Sequence, residues 1–170
     1  DFGNVWIGTH SGIMKWKPNG DFDTFSTGQN QELYTDGNFI WSENTPGDFR
    51  IDQAGNLLEI PSDNFPAQDI NGITSDLDGN IWFATDAGLV LIDSSTFEIL
   101  EIVTDIPTIN PSFIRAMATG VDNSIWIGGY FGTIVRMDEN QNFEIFQLDV
   151  FPFGSSPVQS FFIDSATVWA

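Results

Sequence analysis

DGNIWFATDAGLVLIDSSTFEILEI, residues 78–102, reads as a tight turn, a run around Trp82, a small-residue break, an apolar run, a second turn and a final run. The turn is strong because Gly79 and Asn80 tolerate positive φ. Ile81 to Ala84 is expected to form one strand. Thr85-Asp86-Ala87-Gly88 breaks it, Leu89 to Ile92 forms the next, and Asp93-Ser94-Ser95-Thr96 turns into a strand over Phe97 to Ile102. Upstream, Ile73 to Asp76 is a short run entered after Asn71-Gly72. Four short runs rich in β-branched and aromatic residues, none with an apolar i, i+3, i+4, i+7 pattern, predict a four-stranded antiparallel meander.

The same arrangement recurs along the chain. It returns as FGNVWIGTHSGIMKWKPNGDFDTF from Phe2, DGNFIWSENTPGDFRIDQAGNLLEI from Asp36 and DNSIWIGGYFGTIVRMDENQNFEIFQL from Asp122, and starts again at DSATVWA. Taking Asn4, Asn38, Asn80, Ser124 and Thr167 as equivalent, the spacings are 34, 42, 44 and 43 residues. A period near forty with several short strands per unit is the signature of propeller blades. The expectation is an all-β β-propeller of about four four-stranded antiparallel blades, an open segment of a larger propeller. The repeats fall at 1–27, 28–60, 70–103 and 112–148, with a fifth beginning over 158–170. The first repeat lacks an opening strand, and both ends offer the tryptophan-bearing strand, so blades are expected to be missing on both sides. The short first spacing predicts a trimmed connection around Gly28 to Gln31.

Trp6, Trp82, Trp126 and Trp169 recur on the second strand, where a large ring can fill the wedge between blades. Aligning Asn38 with Asn80 places Ile40 in that slot and Trp41 one residue late. One residue of slip changes the face, so either a bulge corrects it or Trp41 points elsewhere.

Composition narrows the function. Against 24 acidic side chains stand 5 basic ones, a net charge of −19. That field repels phosphates and anionic lipid, which argues against nucleic-acid binding and membrane-surface attachment. The acids are scattered singly, and sixteen Phe and six Trp supply a core, so the chain is no disordered acidic tail. With no Cys, disulfides, thiol nucleophiles and thiolate metal sites are excluded. No apolar run approaches the roughly 18 residues of a membrane-spanning helix.

Within this frame the candidate chemistry is sparse. Asp76-Leu77-Asp78-Gly79-Asn80 has the outline of a calcium loop without the later bidentate acid, and is read as a turn capped by aspartate, with no metal and no cofactor. His10, the single histidine, has no evident partner and is read as a loop residue. Catalytic residues are therefore not assigned. Arg115, on the opening strand of the fourth repeat, would face a central channel and could grip a carboxylate or sugar hydroxyl, or pair with a neighbouring acid. Tyr130 and Phe131 sit between glycines where other repeats carry Thr-x-x-Gly. They suit sugar stacking, a protein contact or a wedge-filling role. Phe151-Pro152-Phe153-Gly154 reads similarly. No GxSxG, HExxH, P-loop or dinucleotide fingerprint occurs.

FGNVWIGT…GIMKWK and DGNIWFAT…GLVLID resemble the two-component-regulator propeller repeat over essentially the whole chain. Repeat two departs from it, with Trp41-Ser42-Glu43-Asn44 in place of W-I-G-T. The resemblance implies a periplasmic or extracellular bacterial module, in sensor regions of hybrid histidine kinases that detect oligosaccharides or in secreted proteins of Bacteroidota. It also implies, more distantly, a likeness to streptogramin lyases. The repeat specifies the blade and not the ligand. The expected function is a non-catalytic ligand-sensing or assembly module with an oligosaccharide or protein partner, the alternative being part of a streptogramin-lyase-like propeller lyase or hydrolase whose catalytic residues lie largely outside this segment.

Overall fold

Aspartate-led turns set the strand boundaries. Asp76 Oδ1 accepts the backbone N–H groups of Asp78 at 3.0 Å and Asn80 at 2.8 Å, and its Oδ2 accepts Asn80 Nδ2 at 2.9 Å, while Gly79 takes φ +87°. Asp36 holds the N–H groups of Asn38 and Phe39 in the same way, each at 2.8 Å. Between such turns β-branched and aromatic residues extend into strands.

The computed structural model describes residues 3–25, 29–45, 49–52, 54–60, 70–147, 156–164 and 167–170. The chain divides into two compact units, Asp1–Asn64 and Phe65–Ala170. In the first, β1 (Val5–Thr9), β2 (Gly12–Trp16) and β3 (Phe22–Phe25) form a three-stranded antiparallel sheet. β4 (Gln29–Thr35), β5 (Phe39–Thr45), β6 (Phe49–Asp52) and β7 (Leu57–Glu59) form a four-stranded one. The second unit holds two more four-stranded meanders. One is β8 (Ile70–Ser75), β9 (Ile81–Thr85), β10 (Gly88–Ile92) and β11 (Ile99–Val103); the other is β12 (Ile114–Thr119), β13 (Ile125–Gly129), β14 (Thr133–Met137) and β15 (Phe143–Gln147). A ribbon of β16 (Phe162–Ile163) and β17 (Val168–Trp169) follows. Helix is confined, among the described residues, to short 3-10 turns such as Pro111–Phe113 and Tyr130–Gly132.

Three expectations are revised. β8 begins at Ile70, so Asn71-Gly72 lies inside the strand and is no break. Gly72 is needed for close packing, since a Cβ there would stand 3.1 Å from Met117 and 3.6 Å from Ala84. Gln29 to Gln31 belong to β4, so only residues 26–28 separate it from β3. Trp41 is neither bulged out nor turned away. The turn before it is one residue shorter, so Ile40 pairs with Thr35 as Ile81 pairs with Ser75, and Trp41 occupies the ladder position of Trp82.

Trp6, Trp41, Trp82 and Trp126 therefore share one position, across from Lys15, Arg50, Leu91 and Arg136 respectively. Lys15 Nζ lies 5.1 Å from the centre of the Trp6 ring, and the Arg50 guanidinium 5.5 Å from that of Trp41 and 4.1 Å from that of Phe39. Burial lowers the Arg50 pKa against the pull of Asp36 and Asp52.

Each sheet packs its tryptophan face on the isoleucine face of the next within the same unit. Trp82, Ala84, Leu89 and Val103 meet Ile125, Ile127 and Met137; Trp6, Ile13 and Phe25 meet Ile40 and Ile51. The tryptophan face of the fourth sheet, with Ala116, Trp126 and Phe146, is met by Val158 and Phe161. Trp169 holds the same ladder position, facing Phe162, and is 61% exposed.

Candidate functional site

In the third sheet Thr85 pairs with Gly88, closing a two-residue turn over Asp86 and Ala87. The Thr85 hydroxyl donates to Gly88 O at 2.8 Å and accepts the Ala87 N–H at 3.2 Å. The first sheet does the same with Thr9, His10, Ser11 and Gly12. His10 is thus an exposed turn residue, as Asp86 is in its own sheet.

The fourth sheet breaks the pattern. Gly128 pairs with Ile134, which leaves the turn one residue longer, and Gly129 stands where the other two sheets have threonine. Without that hydroxyl the chain winds into the 3-10 turn Tyr130–Gly132, with Phe131 at φ 63°, ψ 25°. A positive φ is uncommon for a bulky residue and persists where the surroundings over-determine it. Here the Gly132 N–H donates to Ser156 O at 3.1 Å and the Val158 N–H to Gly129 O at 3.0 Å. Gly128 permits this approach, since a Cβ would fall 2.6 Å from Val158. The outcome is a phenylalanine ring 63% exposed at the end of a well-packed sheet.

Arg115 is delivered to the same place by a bulge. Ile114 pairs with Gly129 and Ala116 with Gly128, so Arg115 is the extra residue, and bulges re-aim side chains. Its Nη2 donates to the Tyr130 hydroxyl at 2.9 Å, with the guanidinium carbon 4.9 Å from the ring centre. Phe113, 48% exposed, meets Tyr130 edge-on at 5.5 Å, and Tyr130 and Phe131 lie 6.2 Å apart. Among the described residues no carboxylate lies within 4 Å of the Arg115 guanidinium, whereas Lys17 pairs with Asp23 at 2.7 Å and Arg136 with Asp122 at 2.5 Å.

The structure thus brings together Arg115, Tyr130 and Phe131, the three residues singled out from sequence. It removes the ion-pair reading for Arg115 among the described residues and the wedge-filling role for Phe131. Phe113 was missed. It lies just before the strand containing Arg115, and the approach of the 3-10 turn capped by Asn110 to Tyr130 has no local sequence signal. The cation opposite tryptophan was also missed, although Lys15 and Arg50 each stand nine residues after their tryptophan. Residues 151–154 lie outside the described residues. Asp76, the leading acid of the calcium-like loop, has its carboxylate engaged by the turn itself.

No protein-family model and no curated protein matches the chain. Solved structures do. Streptogramin B lyase superposes with a TM-score of 0.77 at 21% identity, over 99% of this chain and 58% of that one. The WD40 β-propeller domain of Doa1 gives 0.73 at 12% identity, over 97% and 55%. The fold is a β-propeller. An extracellular domain of a hybrid two-component system protein of B. thetaiotaomicron gives 0.70 at 21% identity, over 98% of this chain and 23% of that one. The propeller chain therefore spans little more than half of the lyase and about a quarter of the extracellular domain. At these identities the likeness establishes architecture and not activity. No helix among the described residues is long and apolar enough to cross a membrane.

Proposed function

We propose that the chain is a non-catalytic, extracytoplasmic propeller module that binds a ligand through the end of its fourth sheet. One observation carries the reading. In a chain of net charge −19, Arg115 is held, among the described residues, by a phenol and not by an acid, beside the exposed rings of Phe113 and Phe131. A guanidinium fork presents paired donors to a carboxylate, and flat rings take the apolar face of a sugar. The combination fits an acidic oligosaccharide. The extracytoplasmic setting is supported by the repeat resemblance and by the likeness to a domain described as extracellular.

Calorimetry of the wild type with a uronate-containing oligosaccharide and its neutral counterpart tests this. Preference for the acidic ligand, lost in Arg115→Ala with folding intact, is expected. Failure of both sugars to bind, with a protein partner whose capture is weakened by Phe131→Ala, would replace the sugar with a protein surface. A lyase reading rests on the likeness to streptogramin B lyase and on the exposed His10. Breakdown of a streptogramin B by the chain, abolished in His10→Ala, would establish it.

A further inference from the structure

Two of the hairpin turns close on themselves. Thr9 and Thr85 each donate their hydroxyl to the glycine carbonyl at the far end of the same turn, at 2.7 and 2.8 Å, so the turn's own residues fix its shape. The turn between β13 and β14 has Gly129 in place of that threonine. Besides its 3-10 bond from the Thr133 N–H to Tyr130 O, it is held from outside. The Val158 N–H donates to Gly129 O at 3.0 Å and the Gly132 N–H to Ser156 O at 3.1 Å, so two bonds from one segment bracket Tyr130 and Phe131. Between them Phe131 keeps φ 63°, which a bulky residue holds where its surroundings impose it.

The segment itself is seated by one side chain. Val158, 5% exposed, is the single buried residue of 156–164 and joins Ala116 and Ile134 in a cluster flanked by Trp126, Phe146 and Phe161. Its seat is Gly128. A Cβ there would stand 2.6 Å from Val158 Cγ1, 2.7 Å from Val158 Cβ and 3.1 Å from Phe161 Cε2, so the three nearest atoms all belong to this stretch of chain. Gly128 has no positive φ, so glycine serves close approach here and not backbone freedom.

We infer, on the reading of this end of the fourth sheet as a ligand site, that Val158 seated on Gly128 is its positioning residue: docking of segment 156–158 sets the Tyr130–Gly132 turn in the shape that holds both rings beside Arg115. Val158 touches no ligand and acts through the turn. The turns closed by Thr9 and Thr85 have their shape built in, whereas the shape of this one is conditional on the segment. Coupling of this kind is reciprocal. A ligand that favours the turn's shape favours the docked segment by the same factor, so occupation of the site is passed to the chain that leads into β16.

Amide hydrogen exchange of the full chain, resolved by residue with NMR, tests the clamp without a ligand. In Gly128→Ala, which pushes Val158 off its seat, and in Val158→Ala, which empties the seat, the Gly132 N–H should exchange about tenfold or more faster than in wild type. The ladder amides shared by β13 and β14 should keep their rates. A Gly132 rate unchanged in either variant overturns the inference, and so do ladder amides that accelerate along with it, since the segment would then serve only the stability of the sheet. Calorimetry with the uronate-containing oligosaccharide tests the coupling. The wild type should bind about tenfold or more tightly than either variant, and the oligosaccharide should slow exchange of the Val158 N–H. Binding of equal strength by all three proteins defeats the coupling and leaves the ligand site standing. Absence of binding by the wild type defeats the ligand site, and the coupling with it.

Discussion

The turn joining β9 to β10 and the turn joining β13 to β14 close equivalent hairpins in neighbouring sheets of one unit. Thr85, Asp86, Ala87 and Gly88 form a two-residue hairpin stitched by a hydroxyl, with Thr85 and Gly88 buried. Gly129 to Thr133 are one residue longer and lift Phe131 into solvent. Both turns rest on the same ladder, so the sheet tolerates the change without repacking. Stability here resides in the faces between sheets, and chemical variety resides in the turns that the faces hold in place.

The largest effect should come from the shared framework. Trp82, 5% exposed between the third and fourth sheets, should cost about 3–5 kcal/mol on replacement by alanine, and Phe131→Ala within about 0.5 kcal/mol, read by denaturant unfolding of both variants. Equal losses would mean that the long turn belongs to the core after all.

How much of this was legible beforehand follows from the same division. Turn signals such as Asp78-Gly79-Asn80 and the recurrent tryptophan act locally, so the meander, the repeat and the place of Trp82 could be read directly. Trp41 could not be placed, because its turn is a residue shorter and only ladder pairing shows where the deletion falls. Asn71-Gly72 looked like a break because glycine in a strand and glycine in a turn are identical in sequence. Met117, from the neighbouring sheet, decides between them. Arg115 and Phe131 were visible as unusual residues. Their meeting depends on a bulge at Ile114/Ala116 and on hydrogen bonds from Gly132 and Val158, which no local pattern encodes.

A smaller effect should separate the β9–β10 turn from the β8–β9 turn of the same sheet by their glycines. Gly88 has φ 137°, and a Cβ there would lie 2.4 Å from Val103 O, a backbone atom. Gly79 has φ +87° with nothing within 4 Å. Both substitutions by alanine are strained by the dihedral, and Gly88→Ala adds a collision. It should therefore exceed the loss of about 1 kcal/mol expected for Gly79→Ala, as judged by the difference in melting temperature. If Gly79→Ala proves the worse, the packing of β11 against this turn is looser than the geometry shows.

Exchanging the turns gives a test of their separability. Replacing residues 129–133 by Thr-Asp-Ala-Gly should leave the melting temperature within a few degrees of wild type, since the ladder on both sides is unchanged, and should remove ligand binding by removing Tyr130 and Phe131. A chain that fails to fold would show that Ser156 and Val158 need the longer turn to dock.

The smallest effect concerns protons. In the fourth sheet Asp122 Oδ1 accepts the Ser124 hydroxyl at 2.6 Å, and Oδ2 receives Arg136 at 2.5 Å. These bonds, the one from Ser124 foremost, lower its pKa to about 2. An unfolded aspartate titrates near 4, so the folded state favours the ionised form. The stabilisation is complete above about pH 4 and disappears as pH falls through the folded value near 2. The Asp122 side chain is 53% exposed, so solvent screens the pair and its worth stays below about 1 kcal/mol. Asp122→Asn should therefore be slightly less stable than wild type at neutral pH, with the difference shrinking between pH 4 and pH 2. Arg136 also lies 3.7 Å from Glu144 and keeps that partner in the variant, which limits the loss further. A stability difference that does not change with pH would show that Asp122 acts by shaping the turn through Ser124 and not by its charge.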